Sequence, residues 1–212
     1  MNSASEQQRS YSSPLRSAQA NATRERVLDA ALALFQDKGL DLTAITDISR
    51  AAKVSASTVY GLFKSKDGLL RALMERALFG SSFQAAQSML ATERDPVRLI
   101  AMTADVAAAI YDSERVELGL LRQLAGFSPT LRRMEAEFED LRLAMQSPRI
   151  EALFAAGLAK PGLSVDEARR ILWMYTSRDI FRMLVREGGW PVERYREWLS
   201  GTLIAALVGT TI

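Results

Sequence analysis

Apolar residues recur at helical spacing along almost the whole chain, and no stretch of useful length alternates apolar and polar positions as a half-buried strand does. Val27, Ala30, Ala31, Leu34 and Phe35 form one face of a first helix over 22–38, which Gly39 stops. Ile45, Ile48 and Ala52 mark a second, short helix over 44–52. Lys53, Val54 and Ser55 break the period, Val54 as an apolar plug and Ser55 as a cap for a third helix whose buried side is Val59, Leu62 and Phe63. A fourth helix opens at Ser65, Lys66 and Asp67 and runs to about Leu90. From Asp95 onward, helical segments are divided by Pro and Gly. Val97, Ile100, Ala104, Ala108 and Tyr111 outline one, residues 116–124 a short apolar one, and Pro129 restarts the chain. Leu131, Met134, Phe138, Leu141 and Met145 then give a bundle-type seam. Two last helices, over 165–186 and 192–208, are split by Gly188, Gly189, Trp190 and Pro191. The pattern predicts an all-α protein with a short three-helix N-terminal part and a longer helical bundle after it.

The third helix has a chemistry of its own. Its unburied positions are Ser57, Thr58, Tyr60 and Gly61, a narrow polar face of the size that enters a DNA major groove. A plain helical hairpin with its polar side in water has the same spacing. Charge alone favours an ordinary solvated surface slightly over a phosphate-steering patch. Arg50, Lys53, Lys64 and Lys66 bracket the helix, and Asp47 and Asp67 are the acids of that span. Net charge is only +2, with 27 basic against 25 acidic residues.

The order of residues separates the two readings. Arg26 to Ala31, Leu34–Phe35, Gly39, Thr43, Asp47–Ile48, Val54–Ser55, Thr58–Val59–Tyr60, Phe63, Lys66–Asp67 and Leu69–Leu70 together resemble the DNA-binding domain of the TetR family of bacterial repressors. The resemblance runs from Arg24 to Leu73. It implies a flexible tail over 1–21, a helix-turn-helix DNA-binding domain over 22–67, and an effector-binding and dimerisation domain over 68–212. It also implies that Thr43, Tyr60 and Lys66 hold phosphates, while Ser57 and Thr58 approach base edges or nearby phosphates. Ser55, chiefly a helix cap, and Lys64 complete the DNA-binding set. Three positions depart from the family's usual pattern. Lys53 stands where the turn often has Gly, Ser49 where Ala is common, and Gly61–Leu62 where bulkier residues often grip DNA.

The expected partners follow from the same resemblance: a palindromic double-stranded operator, a second copy of the chain, and a small apolar or amphipathic effector that releases the DNA. Met102, Tyr111, Leu121, Phe127, Phe138 and Trp173 are candidate lining for the effector cavity, and Arg122 and Arg178 candidate holders of an anionic group. Each apolar member also fits plain core. Trp173, Ile180, Leu184, Tyr195, Trp198, Leu199, Leu203 and Ala206 give the last two helices more apolar surface than a monomer covers, which predicts a two-fold four-helix interface. A dimeric DNA-bound regulator without small-molecule control, or one answering to a protein partner, is the alternative.

Composition removes other classes. There is no Cys and no His, so thiol catalysis, imidazole triads and the usual zinc sites are excluded, and no metal or cofactor is expected. The acids Glu135, Glu137, Glu139 and Asp140 are expected on a solvated helix face with no nucleophile beside them. An enzyme is therefore not expected. The N-terminal stretch lacks the apolar core of a secretory signal, and the run from Leu203 to Val208 is far too short to cross a bilayer, so a cytoplasmic location is expected.

Overall fold

The computed structural model of the chain describes residues 14–113 and 129–209. Among them the fold is all-α, with an isolated antiparallel bridge between Ala159 and Val208. The chain divides into two compact units, Met1–Ala72 and Leu73–Ile212, the division falling inside the fourth helix rather than at its start.

In the first unit, α1 spans Pro14–Lys38. Residues 14–21, assigned above to a flexible tail, are helical. Pro at a first helical position loses no hydrogen bond, and the Ala, Gln and Arg that follow favour helix without needing an apolar face. Its buried stripe is Val27, Leu28, Ala31, Leu32 and Phe35, rotated from the expected face, while Ala30 and Leu34 are only half-buried. Gly39 ends it at φ +80° with its N–H donating to the Phe35 carbonyl at 3.1 Å. Helix α2 follows over Ile45–Ala51, α3 over Ala56–Phe63 and α4 over Lys66–Leu78.

Helix α4 does not reach Leu90. Gly80, extended at ψ −171°, starts a separate α5 over Ser81–Thr92. The second unit continues with α6 over Pro96–Ser113, α7 over Pro129–Ala155, α8 over Val165–Tyr175, α9 over Arg178–Phe181 and α10 over Val192–Leu207. The helix expected over 165–186 is broken at Thr176, where the hydroxyl turns back onto the Leu172 carbonyl at 2.7 Å and Ser177 caps a new helix start. A π-helical turn over Arg182–Glu187 follows. Helix α8 opens with a reciprocal cap, Ser164 Oγ taking the Glu167 N–H while the Glu167 carboxylate accepts from the Ser164 N–H.

The core of this unit joins Ile100, Tyr111, Ile150, Leu153, Leu172, Phe181 and Leu207 with Tyr195, Leu199 and Leu203. The last three were assigned to an interface between copies, and all are at 0% exposure within their own chain. They face α6 and α8 rather than a partner, because α10 has one apolar face and its own unit takes it. Trp173, Ile180, Leu184, Trp198 and Ala206 remain half-buried. The α7 seam is also shifted. Leu141 is 43% exposed, and Gln146, Arg149, Ile150 and Leu153 take the inward positions.

Candidate functional site

Two places gather polar groups on rigid supports, one in each unit.

The first is the corner made by α2, α3 and α4. Helix α2 ends in a Schellman motif: the Val54 N–H donates to the Ser49 carbonyl at 3.0 Å and the Lys53 N–H to the Arg50 carbonyl at 3.2 Å. The residue between, Lys53, is held at φ 55°, the left-handed backbone that glycine normally supplies. Ser49 answers its own departure from pattern, its hydroxyl donating to the Thr46 carbonyl at 3.0 Å. Ser55 caps α3 by accepting the Thr58 N–H at 3.0 Å. The Ser55 oxygen also lies 2.8 Å from the Ser57 hydroxyl and 2.7 Å from that of Thr58. Three hydroxyl protons serve two such contacts, so one proton of the cluster is left to donate outward. With Val59 and Phe63 buried beneath, Tyr60 stands out at 52% exposure beside an open Gly61.

The far end of α3 is tighter still. Lys64 sits at φ 65°, ψ −40°, and the Ser65 N–H reaches back to the Phe63 carbonyl at 2.7 Å, a γ-turn of the rare, strained kind with positive φ. Ser65 Oγ then accepts the Gly68 N–H at 3.0 Å. Gly68 allows this approach, because a Cβ there would lie 1.9 Å from the Phe63 carbonyl oxygen. Sequence reading passed over Gly68, whose lack of a Cβ permits a close backbone approach. The Arg24 guanidinium lies over the Phe63 ring at 5.0 Å and ties α1 to the same end.

The expected DNA-contact set is thus divided. Ser57, Tyr60 and Lys64 are exposed around α3, with Thr58 and Lys66 half-buried there. Ser55 is occupied as the cap. Thr43 is different: it is 1% exposed, and its hydroxyl donates inward to the Gly39 carbonyl at 2.7 Å. It neither caps α2, whose N-cap is Ala44, nor has a proton left for a phosphate. The expectation of a phosphate contact from Thr43 is therefore corrected, since its side chain braces the α1–α2 loop. Arg50 has Asp47 at 3.1 Å, which reduces its part in the basic fringe.

The second place is a cavity in the Leu73–Ile212 unit, open to solvent at its mouth. Its apolar wall includes Met74, Leu78, Phe79, Phe83, Val106, Phe138 and Met145, and its polar wall Thr103, Arg142, Gln146, Arg149 and Thr176. Tyr111 and Phe138 are among its lining, Tyr111 donating to the Thr176 carbonyl at 2.8 Å. Met102 packs instead against Ala86, Leu90 and Val106. Trp173 lies under the Arg142 guanidinium at 5.1 Å, outside the lining. Leu121, Arg122 and Phe127 lie outside the described residues. Arg178, the other proposed anion holder, opens α9 and lies outside the lining. Glu135 and Glu139, expected on a solvated face, line the cavity. Sequence reading missed Arg142, Gln146 and Arg149. Their signal was a polar stripe at i, i+4, i+7 beside the α7 seam, which puts all three on one helix face.

Among the described residues no group of His, Cys, Asp and Glu is placed to hold a metal, and no helix is long and apolar enough to cross a membrane.

Comparison with known proteins points to the corner first. Residues 27–73 match the family described as bacterial regulatory proteins, tetR family. The HTH-type transcriptional regulator BetI of Burkholderia ambifaria is 30% identical over 105 residues, covering 49% of this chain and 52% of that protein. The chain spans little more than half the length of the curated relatives that align over the longest stretches. Among solved structures, native NalD, the secondary repressor of the MexAB-OprM multidrug efflux pump in Pseudomonas aeruginosa, superposes with a TM-score of 0.70 at 25% identity, over 90% of this chain and 98% of that one. The SmeT–triclosan complex superposes with a TM-score of 0.67 at 21% identity, over 89% of this chain and 93% of that one.

Proposed function

Because the chain belongs to the tetR family of bacterial regulatory proteins, we propose that it is a transcription regulator which reads a palindromic operator as a homodimer and lets go when a small molecule fills its cavity. The observation that carries this reading is the α3 corner. A helix with Tyr60 and a free hydroxyl proton outward is held by a Schellman turn at one end and a γ-turn at the other, with Lys53, Lys64 and Lys66 around it. Rigid backbone on both sides of a short helix is what base reading requires, since phosphate contacts from the lysines set register only if the corner does not flex. Two such helices on a two-fold axis read half-sites about 34 Å apart, or a multiple of that. With Tyr195, Leu199 and Leu203 used inside the chain, pairing falls to half-buried surface such as Ile180, Leu184 and Trp198 together with the 46% exposed Met183.

Control by a ligand rests on the cavity and on chain continuity. Met74 and Leu78 line it, and they end the helix whose first turn carries Lys66. A protein of the same fold, SmeT, holds triclosan. Ligand and operator then bind with reciprocal coupling.

Footprinting on the DNA flanking the protein's own gene, with and without a metabolite pool, tests the whole reading. Lys66→Ala is expected to weaken operator binding about tenfold and to flatten the dependence of log K on log salt by about 0.9. Tyr60→Phe removes a phenol donor and is expected to cost about 1 kcal/mol of binding. Unchanged affinity in both variants at moderate salt removes their phosphate roles. A monomer that binds every duplex equally weakly removes the reading as a whole.

A further inference from the structure

We infer that the cavity of the second unit takes an amphipathic anion, its carboxylate or similar oxyanion head on Arg149 and its apolar tail against Phe79, Phe83 and Phe138. This rests on the reading of that cavity as an effector site and adds the ligand's chemistry.

Arg149 is only 8% exposed, yet among the described residues no carboxylate pairs with it. Its hydrogen bond is a long one, 3.4 Å to Thr103 Oγ1, and the Thr103 hydroxyl already donates to the Leu99 carbonyl at 3.0 Å. A guanidinium has five N–H donors in a planar fork, so nearly all of this one is unused. Arg142, two turns earlier on α7, shows the contrast: it bonds Glu139, the Trp173 carbonyl and Thr176 Oγ1, and stacks on Trp173. Burial lowers the Arg149 pKa to about 10, which leaves it charged at neutral pH. A buried cation without a counter-charge is costly, and an incoming anion removes that cost while gaining a two-pronged bond.

A second buried group on the same face is only half satisfied. Gln146, 8% exposed, gives its amide N–H to Thr176 Oγ1 at 2.8 Å, and its Oε1 meets no donor. The acids of the lining do not neutralise Arg149. Glu139 is engaged with Arg142, and at 1.5 Å rise per residue Glu139 and Glu135 lie about 15 and 21 Å from Arg149 along α7. The intervening wall is aromatic and aliphatic, with Phe79 and Phe138 at 5.9 Å centroid separation and Phe79 and Phe83 at 5.1 Å. One end cationic and the middle apolar is the complement of a fatty or aryl acid.

The test uses the full chain and a neutral dye, N-phenyl-1-naphthylamine, whose displacement reports cavity occupancy by decanoate, decanol and decyltrimethylammonium. Decanoate is expected to displace the dye about ten- to a hundredfold more tightly than decanol, the usual range for a hydrogen-bonded charge, and the cation not at all. Arg149→Met is expected to erase the preference for decanoate over decanol. The unliganded variant is expected to melt no lower than wild type, since a lone buried charge has been replaced by an apolar chain of similar length. Arg149→Gln repeats the test should the Met variant not fold. Equal affinity for decanoate and decanol with the dye bound overturns the anion assignment and leaves the cavity reading standing. A dye and three amphiphiles that all fail to bind overturn both.

Discussion

The α2–α4 corner and the cavity treat polarity in opposite ways. At the corner the polar groups are outside and the strain is in the backbone: Lys53 and Lys64 both adopt positive φ, and Gly68 accepts a carbonyl where other residues carry a Cβ. In the cavity the helix backbone is regular along α7, apart from Pro148, and the tension lies in side chains: Gln146 Oε1 is buried without a partner, and the buried Arg149 has Thr103 but no counter-charge among the described residues. A surface that must fit a stiff duplex is served by fixed geometry. On the proposed function the cavity answers to a small molecule and is served by unmet bonding capacity, because only an interaction absent in the empty state gives a ligand leverage over it.

The sharpest way to break this contrast is at Gly68. If the corner is rigid because of that crossing, Gly68→Ala must push α4 from the Phe63 carbonyl, with an expected loss of about 3 kcal/mol or more in stability. Operator binding is expected to vanish with it, while ligand binding in the other unit persists wherever the variant stays folded. Chemical denaturation followed by circular dichroism measures the first effect and dye binding the last. A Gly68→Ala protein with wild-type stability would mean that the corner yields easily.

A pair of buried hydroxyls gives a smaller test of the same idea. Thr43 in the first unit is satisfied, donating to Gly39, whereas Tyr195 in the second is buried with its hydroxyl unpartnered among the described residues. Burial raises the Tyr195 pKa far above the usual phenol value, so the group stays neutral and no pH effect follows from it at ordinary pH. Thr43→Val is expected to cost about 1–2 kcal/mol by stranding a carbonyl, and Tyr195→Phe nothing, or to stabilise slightly. Thermal denaturation of the two variants decides it. A costly Tyr195→Phe would show that the second unit satisfies its polar groups as the first does.

The same contrast explains what the sequence disclosed. The corner spans residues close in the chain, so caps, turn breakers and apolar spacing encode it directly, and Ser55, Tyr60 and Lys66 were legible from order alone. The cavity is assembled from α4, α5, α6, α7 and Thr176, across about a hundred residues, and no local spacing records which faces will meet. Arg149 therefore carried no local mark of its place in the lining. Thr43 misled for a related reason: resemblance fixes which residue stands at a position, but its rotamer is set by the Gly39 carbonyl. The continuous helix expected over 165–186 failed at Thr176, where a local hydroxyl intervened, and the last helix offered one apolar face to two possible claimants. The core of its own unit took Tyr195, Leu199 and Leu203 before any partner could.

Lys53 offers the finest distinction, because it belongs to the strain of the corner and to its charge at once. Its left-handed backbone costs on the order of 1 kcal/mol relative to glycine, partly offset by the extra freedom glycine regains on unfolding. Lys53→Gly is therefore expected to leave stability unchanged or raise it by somewhat less than that, while the Schellman bonds from Val54 and Lys53 to Ser49 and Arg50 persist. If the side chain sits on a phosphate, operator affinity falls and the slope of log K against log salt flattens by about 0.9. If the lysine serves only the turn, stability moves and the slope does not. Measuring both in one variant separates the two where the fold is unchanged, since stability reports the turn and the salt slope reports the number of phosphate contacts.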